Sequence, residues 1–182
     1  STVQRAGRGI ESFTAELTLS GNTVGFAGGI SGNRYAGILV DDPAGSGLMV
    51  TGNSVSGYNP PGGVFEHEPF GYLLRAAEFS VTGNISTDNA VGFRLEGGGF
   101  SSGNTATLSD FIGFYLFGSA DHDGNTATLS DEGFRTSSTF TGTLSNSIAE
   151  DNTSAGILVA GGTVSNNTVT HSIPSNAADG IR

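Results

Sequence analysis

Cysteine is absent from the 182 residues, which excludes disulfides and thiolate metal sites and leaves the compartment open. Lysine is absent as well, so seven arginines face seventeen acids and the net charge is −10. Such a surface repels phosphate backbones and anionic lipid, and nucleic acid is not an expected partner. No apolar run reaches the roughly 20 residues of a membrane helix, so no membrane insertion is expected, and no signal peptide is visible. The start at Ser1 rather than Met fits a processed secreted protein or an excised fragment. Prolines number only five and the apolar share is 36%, so the fold must bury its apolar surface economically. Thirty glycines among many Ser, Thr and Asn would fit disorder if the apolar residues were scattered. They recur in regular columns instead, which makes this a turn-rich all-β composition.

What is present is a repeat. Gly103-Asn104-Thr105-Ala106-Thr107-Leu108-Ser109-Asp110 returns letter for letter at Gly124 to Asp131. Aligning on this small-residue-plus-Asn step gives rungs at Gly21-Asn22, Gly52-Asn53, Gly83-Asn84, Gly103-Asn104, Gly124-Asn125, Ser145-Asn146 and Asn166-Asn167. The first two rungs carry inserted loops, about 41–47 and 59–70, whose Pro and Gly content bars ladder pairing. The aligned asparagines, Asn22, Asn53, Asn84, Asn104, Asn125, Asn146 and Asn167, read as a structural ladder of amides bonding from coil to coil. Three glycosylation sequons begin at Asn84, Asn152 and Asn166; the first and last lie at this corner, leaving Asn152 as the credible acceptor.

A second landmark follows each Asn step: Gly37-Ile38-Leu39-Val40, Gly71-Tyr72-Leu73-Leu74, Gly92-Phe93-Arg94-Leu95, Gly113-Phe114-Tyr115-Leu116, Gly133-Phe134-Arg135, Gly156-Ile157-Leu158-Val159 and Gly180-Ile181-Arg182. Apolar residues at the first and third places after Gly give period two, a strand with one buried face. Ile38, Tyr72, Phe93, Phe114, Phe134, Ile157 and Ile181 are expected to stack inward. Two residues after each Asn, Val24, Val55, Ala106, Ala127, Ile148 and Val169 should do the same, with Ser86 the polar exception. Leu19, Val50, Val81 and Val164 mark a third, weaker strand before the Asn.

The N-x-V … G-I/F-x-L pattern from Leu19 to Arg182 resembles the right-handed parallel β-helix repeat of the pectin-lyase-like superfamily. The resemblance implies one all-β domain over residues 1–182: a right-handed single-stranded parallel β-helix of about seven coils, each about 21 residues with three short strands. That scaffold carries polysaccharide lyases, epimerases, glycan hydrolases, tailspikes and adhesins, so it implies no single activity.

Four constellations invite chemistry. Asp121-His122-Asp123 replaces an apolar strand; two carboxylates around an imidazole could bind Ca²⁺ or act as acid and base, or form a polar corner that skips the strand. Glu66-His67-Glu68, in the second inserted loop, are catalytic candidates beside Asp41 and Asp42 of the first as metal candidates, since inserted loops build clefts in such folds; the alternative is that they are ordinary solvated loop acids. The middle places after Gly put Arg94, Tyr115 and Arg135 in one outward column, where two guanidinium groups around a ring could hold an acidic sugar chain; Arg94 could equally pair with Glu96. Finally, two outward rows beside the Asn corner, Thr23, Ser54, Ile85, Thr105, Thr126, Ser147, Thr168 and Ser56, Thr87, Thr107, Thr128, Ala149, Thr170, resemble the Thr-x-Thr face of ice-binding solenoids. Thr is also the ordinary residue of a solvated strand. His171 stands alone, without the partners of a nucleophile system.

The sequence therefore leads to the expectation of an extracellular or cell-surface module with a structural, adhesive or glycan-contacting role, associating end to end through its coil edges. A lyase, epimerase or hydrolase acting on an acidic polysaccharide is the second expectation, and an ice-binding solenoid the third.

Overall fold

The computed structural model describes residues 2–4, 8–25, 36–58, 69–170 and 179–182. Glu66, His67, Glu68 and His171 lie outside the described residues. Among those described there is no helix, and the strand pairings are parallel throughout. The chain is an all-β parallel solenoid.

Among the described residues one sheet has eight strands: Thr2–Gln4, Thr23–Gly25, Ser54–Ser56, Ile85–Thr87, Thr105–Thr107, Thr126–Thr128, Ile148–Glu150 and Thr168–Thr170. The other has thirteen and turns a corner, because Phe70–Thr82 and Val91–Ser102 each run through the bend that ends neighbouring strands. Its first strip contains the Gly-apolar landmarks, such as Ile112–Gly118 and Glu132–Thr136. Its second contains the weak strands, such as Leu48–Thr51 and Thr143–Ser145. The pairing slips between Gly97 and Gly98, a bulge that bends the strand at this corner.

The interior is built from the predicted columns. Ile38, Tyr72, Phe93, Phe114, Phe134 and Ile157 are buried, as are Leu74, Leu95 and Leu116. Tyr72, Phe93, Phe114 and Phe134 form a continuous ring stack with centroids 4.5, 4.7 and 4.9 Å apart and planes within 11° of parallel. Those distances match the roughly 4.8 Å between neighbouring strands, so each coil contributes one ring at the sheet's own spacing. The column ends at Ile181, which pairs beside Ile157 but is exposed. The preceding glycines are explained by the backbone: a Cβ on Gly113 would lie 2.6 Å from the carbonyl oxygen of Gly133 and 2.8 Å from the Ala127 methyl.

The corner is a left-handed residue followed by an inward polar side chain. Gly21, Gly52, Gly83, Gly103 and Gly124 all have φ of 61–62°. After them the backbone N–H of Asn22, Asn53, Asn84 and Asn104 donates to Oδ1 of the Asn one coil on, at 2.9–3.1 Å, as does each Nδ2. Every Nδ2 from Asn53 to Asn125 also donates to a carbonyl of the coil before, so these buried amides are satisfied on both sides.

Two expectations change here. Asn146 is not a ladder member: it holds the corner itself, at φ 49°, and Ser147 takes the ladder place, receiving the Asn125 N–H at 3.2 Å and donating its own N–H to Asn167 Oδ1 at 2.8 Å. The strand beyond is therefore one residue out from the expected register. Ala149 pairs with Ala127 inside, while Ile148 is exposed. The same shift removes Ser147 and Ala149 from the outward Thr rows and substitutes Ile148 and the carboxylate of Glu150.

A second corner ladder was not foreseen. Asn89 Oδ1 accepts from the Tyr58 N–H at 2.8 Å and Asn152 Oδ1 from the Ser130 N–H at 3.0 Å, each following a left-handed residue, Asp88 or Asp151. Asn152 is buried, and its Nδ2 donates to the Ala127 carbonyl. It is not available as a glycan acceptor.

Candidate functional site

Asp121–His122–Asp123 is a strand, not a skipped corner, and period two separates its side chains. The acids face solvent while His122 is fully buried in the inward column, between Ser101 and Leu144 of the adjacent strands. Nδ1 lies 2.7 Å from Ser101 Oγ, and Nε2 has no hydrogen-bond partner. Phe79 and Phe140 flank the ring, at 6.4 and 5.6 Å. Burial pushes the imidazole down to about 4, with the Asp121 carboxylate partly opposing the shift. Asp121 Oδ1 accepts from the Thr143 N–H. Asp123 Oδ1 accepts from Ser145 Oγ and Asn146 Nδ2, and those bonds hold its carboxyl below the usual range. The three residues thus do not converge on one ion or one substrate.

Asp41 and Asp42 are engaged too. Asp42 accepts from the N–H groups of Ala15 and Gly45, each at 3.1 Å, and fixes the loop after Ala36–Asp42. Asp41 pairs with Arg75 at 2.9 Å. Among the described residues no group of three or more His, Asp or Glu side chains is placed to hold a metal.

The outward column does assemble. The strands pair Leu73 with Arg94, Arg94 with Tyr115, Tyr115 with Arg135, and Arg135 with Leu158. The Arg94 guanidinium carbon stands 5.9 Å from the Tyr115 ring centre, and that of Arg135 stands 5.8 Å from it. Arg94 also covers Phe117 at 4.7 Å and Phe70 at 6.0 Å. Tyr115 and Phe117 meet at 4.3 Å, tilted by 49°. Beneath them lies an apolar cluster of Ala36, Leu39, Phe70, Val91 and Ile112, separate from the solenoid interior, with Leu73, Phe111 and Tyr115 packed against it.

No protein-family model matches the chain, and no curated protein matches it. The functional reading therefore rests on this face.

The next column out, two residues along each strand, aligns Asp41, Arg75, Glu96 and Phe117. Arg75 Nε is 3.2 Å and Arg94 Nη2 3.5 Å from the same oxygen, Glu96 Oε2. Arg135 pairs with Glu132. Arg75 and Phe117 were missed in the sequence, although continuing the period-two count to the fourth residue after each Gly reaches both. Beside this column is an open groove of about 240 Å³ lined by Pro43, Ala76, Ala77, Glu96, Gly97, Phe117, Gly118 and Thr139. Its wall includes the first inserted loop through Pro43, and its floor is the bulge at Gly97.

Proposed function

We propose that the chain is an extracellular or cell-surface β-helix module, akin to the pectin-lyase-like superfamily, that contacts a glycan through the Arg94–Tyr115–Arg135 face. The observation that carries this reading is Tyr115 set between two guanidinium groups on successive coils, continuous with Phe117 and an open groove. Sugars present a polar rim of hydroxyls and an apolar face of C–H groups, and they are bound by half-exposed aromatic rings bordered by charged donors and acceptors. The side chains are also held in place before any ligand arrives. Ion pairs and ring contacts fix the arginines, so less rotamer entropy is lost on binding. Binding without turnover is the role proposed, because the described acid and base candidates are either buried, as His122 is, or tied up within the fold.

The test is a glycan panel of neutral and acidic oligosaccharides titrated into the protein by calorimetry. The expected result is saturable binding that Tyr115→Ala weakens at least tenfold while the far-ultraviolet dichroism of the variant stays unchanged. Binding equal in wild type and variant, or no binding to any glycan, would overturn the proposal.

A further inference from the structure

We infer that the groove beside Phe117 takes the ring of an uncharged sugar rather than a uronate; this rests on the glycan reading above and sharpens its substrate class. Two observations lead there: the size of the groove and the way its charge is already spent. At about 240 Å³ it falls under the roughly 300 Å³ at which sites for drug-sized ligands begin, and so it suits a single ring rather than a branched one. Its apolar contributors, Pro43, Ala76, Ala77 and Phe117, offer a surface for the C–H face of that ring.

The charged side chain lining the groove is Glu96, an acceptor suited to sugar hydroxyls. A uronate needs a cation to spare at this point, and each described arginine of this face already stands within ion-pair distance of a carboxylate, with the buried Nε donors of Arg75, Arg94 and Arg135 left without a hydrogen-bond partner. Arg75 is divided between Asp41 and Glu96, Arg94 is directed to Glu96, and Arg135 is paired with Glu132. Among these ion pairs three arginines meet three carboxylates, so their charges offset one another in a chain of net charge −10. A second carboxylate beside Glu96 would either be repelled or have to break the Arg75–Glu96–Arg94 bridge. Hydroxyl groups need neither, because they donate to Glu96 while the bridge stays intact. The column read in the sequence as a cradle for acidic sugar is thereby an internally compensated wall.

The experiment titrates neutral hexasaccharides of glucose, mannose and galactose, and hexasaccharides of galacturonate and guluronate, into wild type and two variants. Phe117→Ala removes the platform; Ala77→Trp fills the groove from an exposed position, and unchanged far-ultraviolet dichroism checks that both variants fold. The expected result is that a neutral hexasaccharide binds, that both variants weaken it at least tenfold, and that uronates bind at least tenfold more weakly than the best neutral chain. Preferential uronate binding, or neutral binding indifferent to both variants, overturns this inference and leaves the glycan reading standing. Absence of binding to every member of the panel overturns both.

Discussion

The backbone N–H of Asn125 donates to the hydroxyl of Ser147 at 3.2 Å, and through that one bond the amide ladder changes residue type without losing its continuity. Ser147 relays it by donating its N–H to Asn167 Oδ1 and its Oγ–H to the Ser145 carbonyl. Asn146, the residue the repeat nominates for the ladder, stands outside it as the left-handed corner.

The first prediction follows from that division of labour. Asn104→Ala would strip the acceptor from the buried Asn84 N–H and the side-chain donor from the buried Val81 carbonyl, while the Asn84 Nδ2 keeps the Val50 and Thr82 carbonyls. Orphaned buried polar groups cost about 1–3 kcal/mol each, so a loss of about 2 kcal/mol or more in urea unfolding is expected. Asn146→Gly should change stability by less than about 1 kcal/mol, since Gly accepts the corner geometry and the bond lost to Asp123 is exposed. Equal losses for the two variants would contradict the assignment.

Two leucines occupy the other corner in the same left-handed region, Leu108 at φ 57° and Leu129 at φ 55°, and both side chains are about half exposed. A branched aliphatic side chain there costs about 1–2 kcal/mol, which Asn largely avoids. Asp88 and Asp151 hold the equivalent positions in other coils. Leu108→Asn and Leu129→Asn should each raise stability by about 0.5–1 kcal/mol, additively within measurement. A loss from either would mean that these leucines contribute packing.

The outcome shows what a repeat can and cannot announce. Inward columns such as Phe93, Phe114 and Phe134 were legible because a strand side chain has two choices and period two settles them. The segment Ser145-Asn146-Ser147 was not legible, because Asn suits both the corner and the ladder; without a Gly, the demand for left-handed geometry took precedence and moved Ile148 outside. Asp121-His122-Asp123 is ambiguous in the sequence for a related reason. Three polar residues suggest a corner, yet alternation with one buried member is an ordinary strand. At the candidate site the column of Arg94, Tyr115 and Arg135 was visible. The neutralising partners Asp41 and Glu132 were not linked to it, because ion pairing across coils depends on side-chain reach rather than spacing.

A third prediction concerns the wall of the groove. Asp42 accepts from Ala15 and Gly45, while the Gly45 carbonyl in turn accepts from the Ala77 N–H at 2.7 Å. This chain of bonds positions Pro43 over Ala76 and Ala77. Asp42→Ala should cost about 1–3 kcal/mol of stability and also weaken binding of the neutral sugar severalfold. Asp42→Asn, which keeps one acceptor, should recover part of both. Unchanged binding in Asp42→Ala would remove the loop from the site.

The last prediction is acid sensitivity through His122. Its imidazole is lowered from 6.5 to about 4, by burial first, against the opposing pull of Asp121. The unfolded chain takes up this proton as pH falls through 6.5, whereas the folded chain does not until about 4. Stability is therefore highest above 6.5, declines between 6.5 and 4, and levels off below as both states become protonated. At about 1.4 kcal/mol per unit, the gap amounts to about 3 kcal/mol. The Ser145 and Asn146 bonds hold the Asp123 carboxyl below its ordinary value, so it adds a separate loss as pH falls through the carboxylate range. The check is urea unfolding at pH 7.0, 5.5 and 4.0 for wild type and His122→Leu. Leucine suits the column, since Leu144 occupies the same inward place one coil on. Wild type should weaken steadily across this range and the variant should lose about 3 kcal/mol less. If both weaken by the same amount, His122 is not the group that couples the fold to acid.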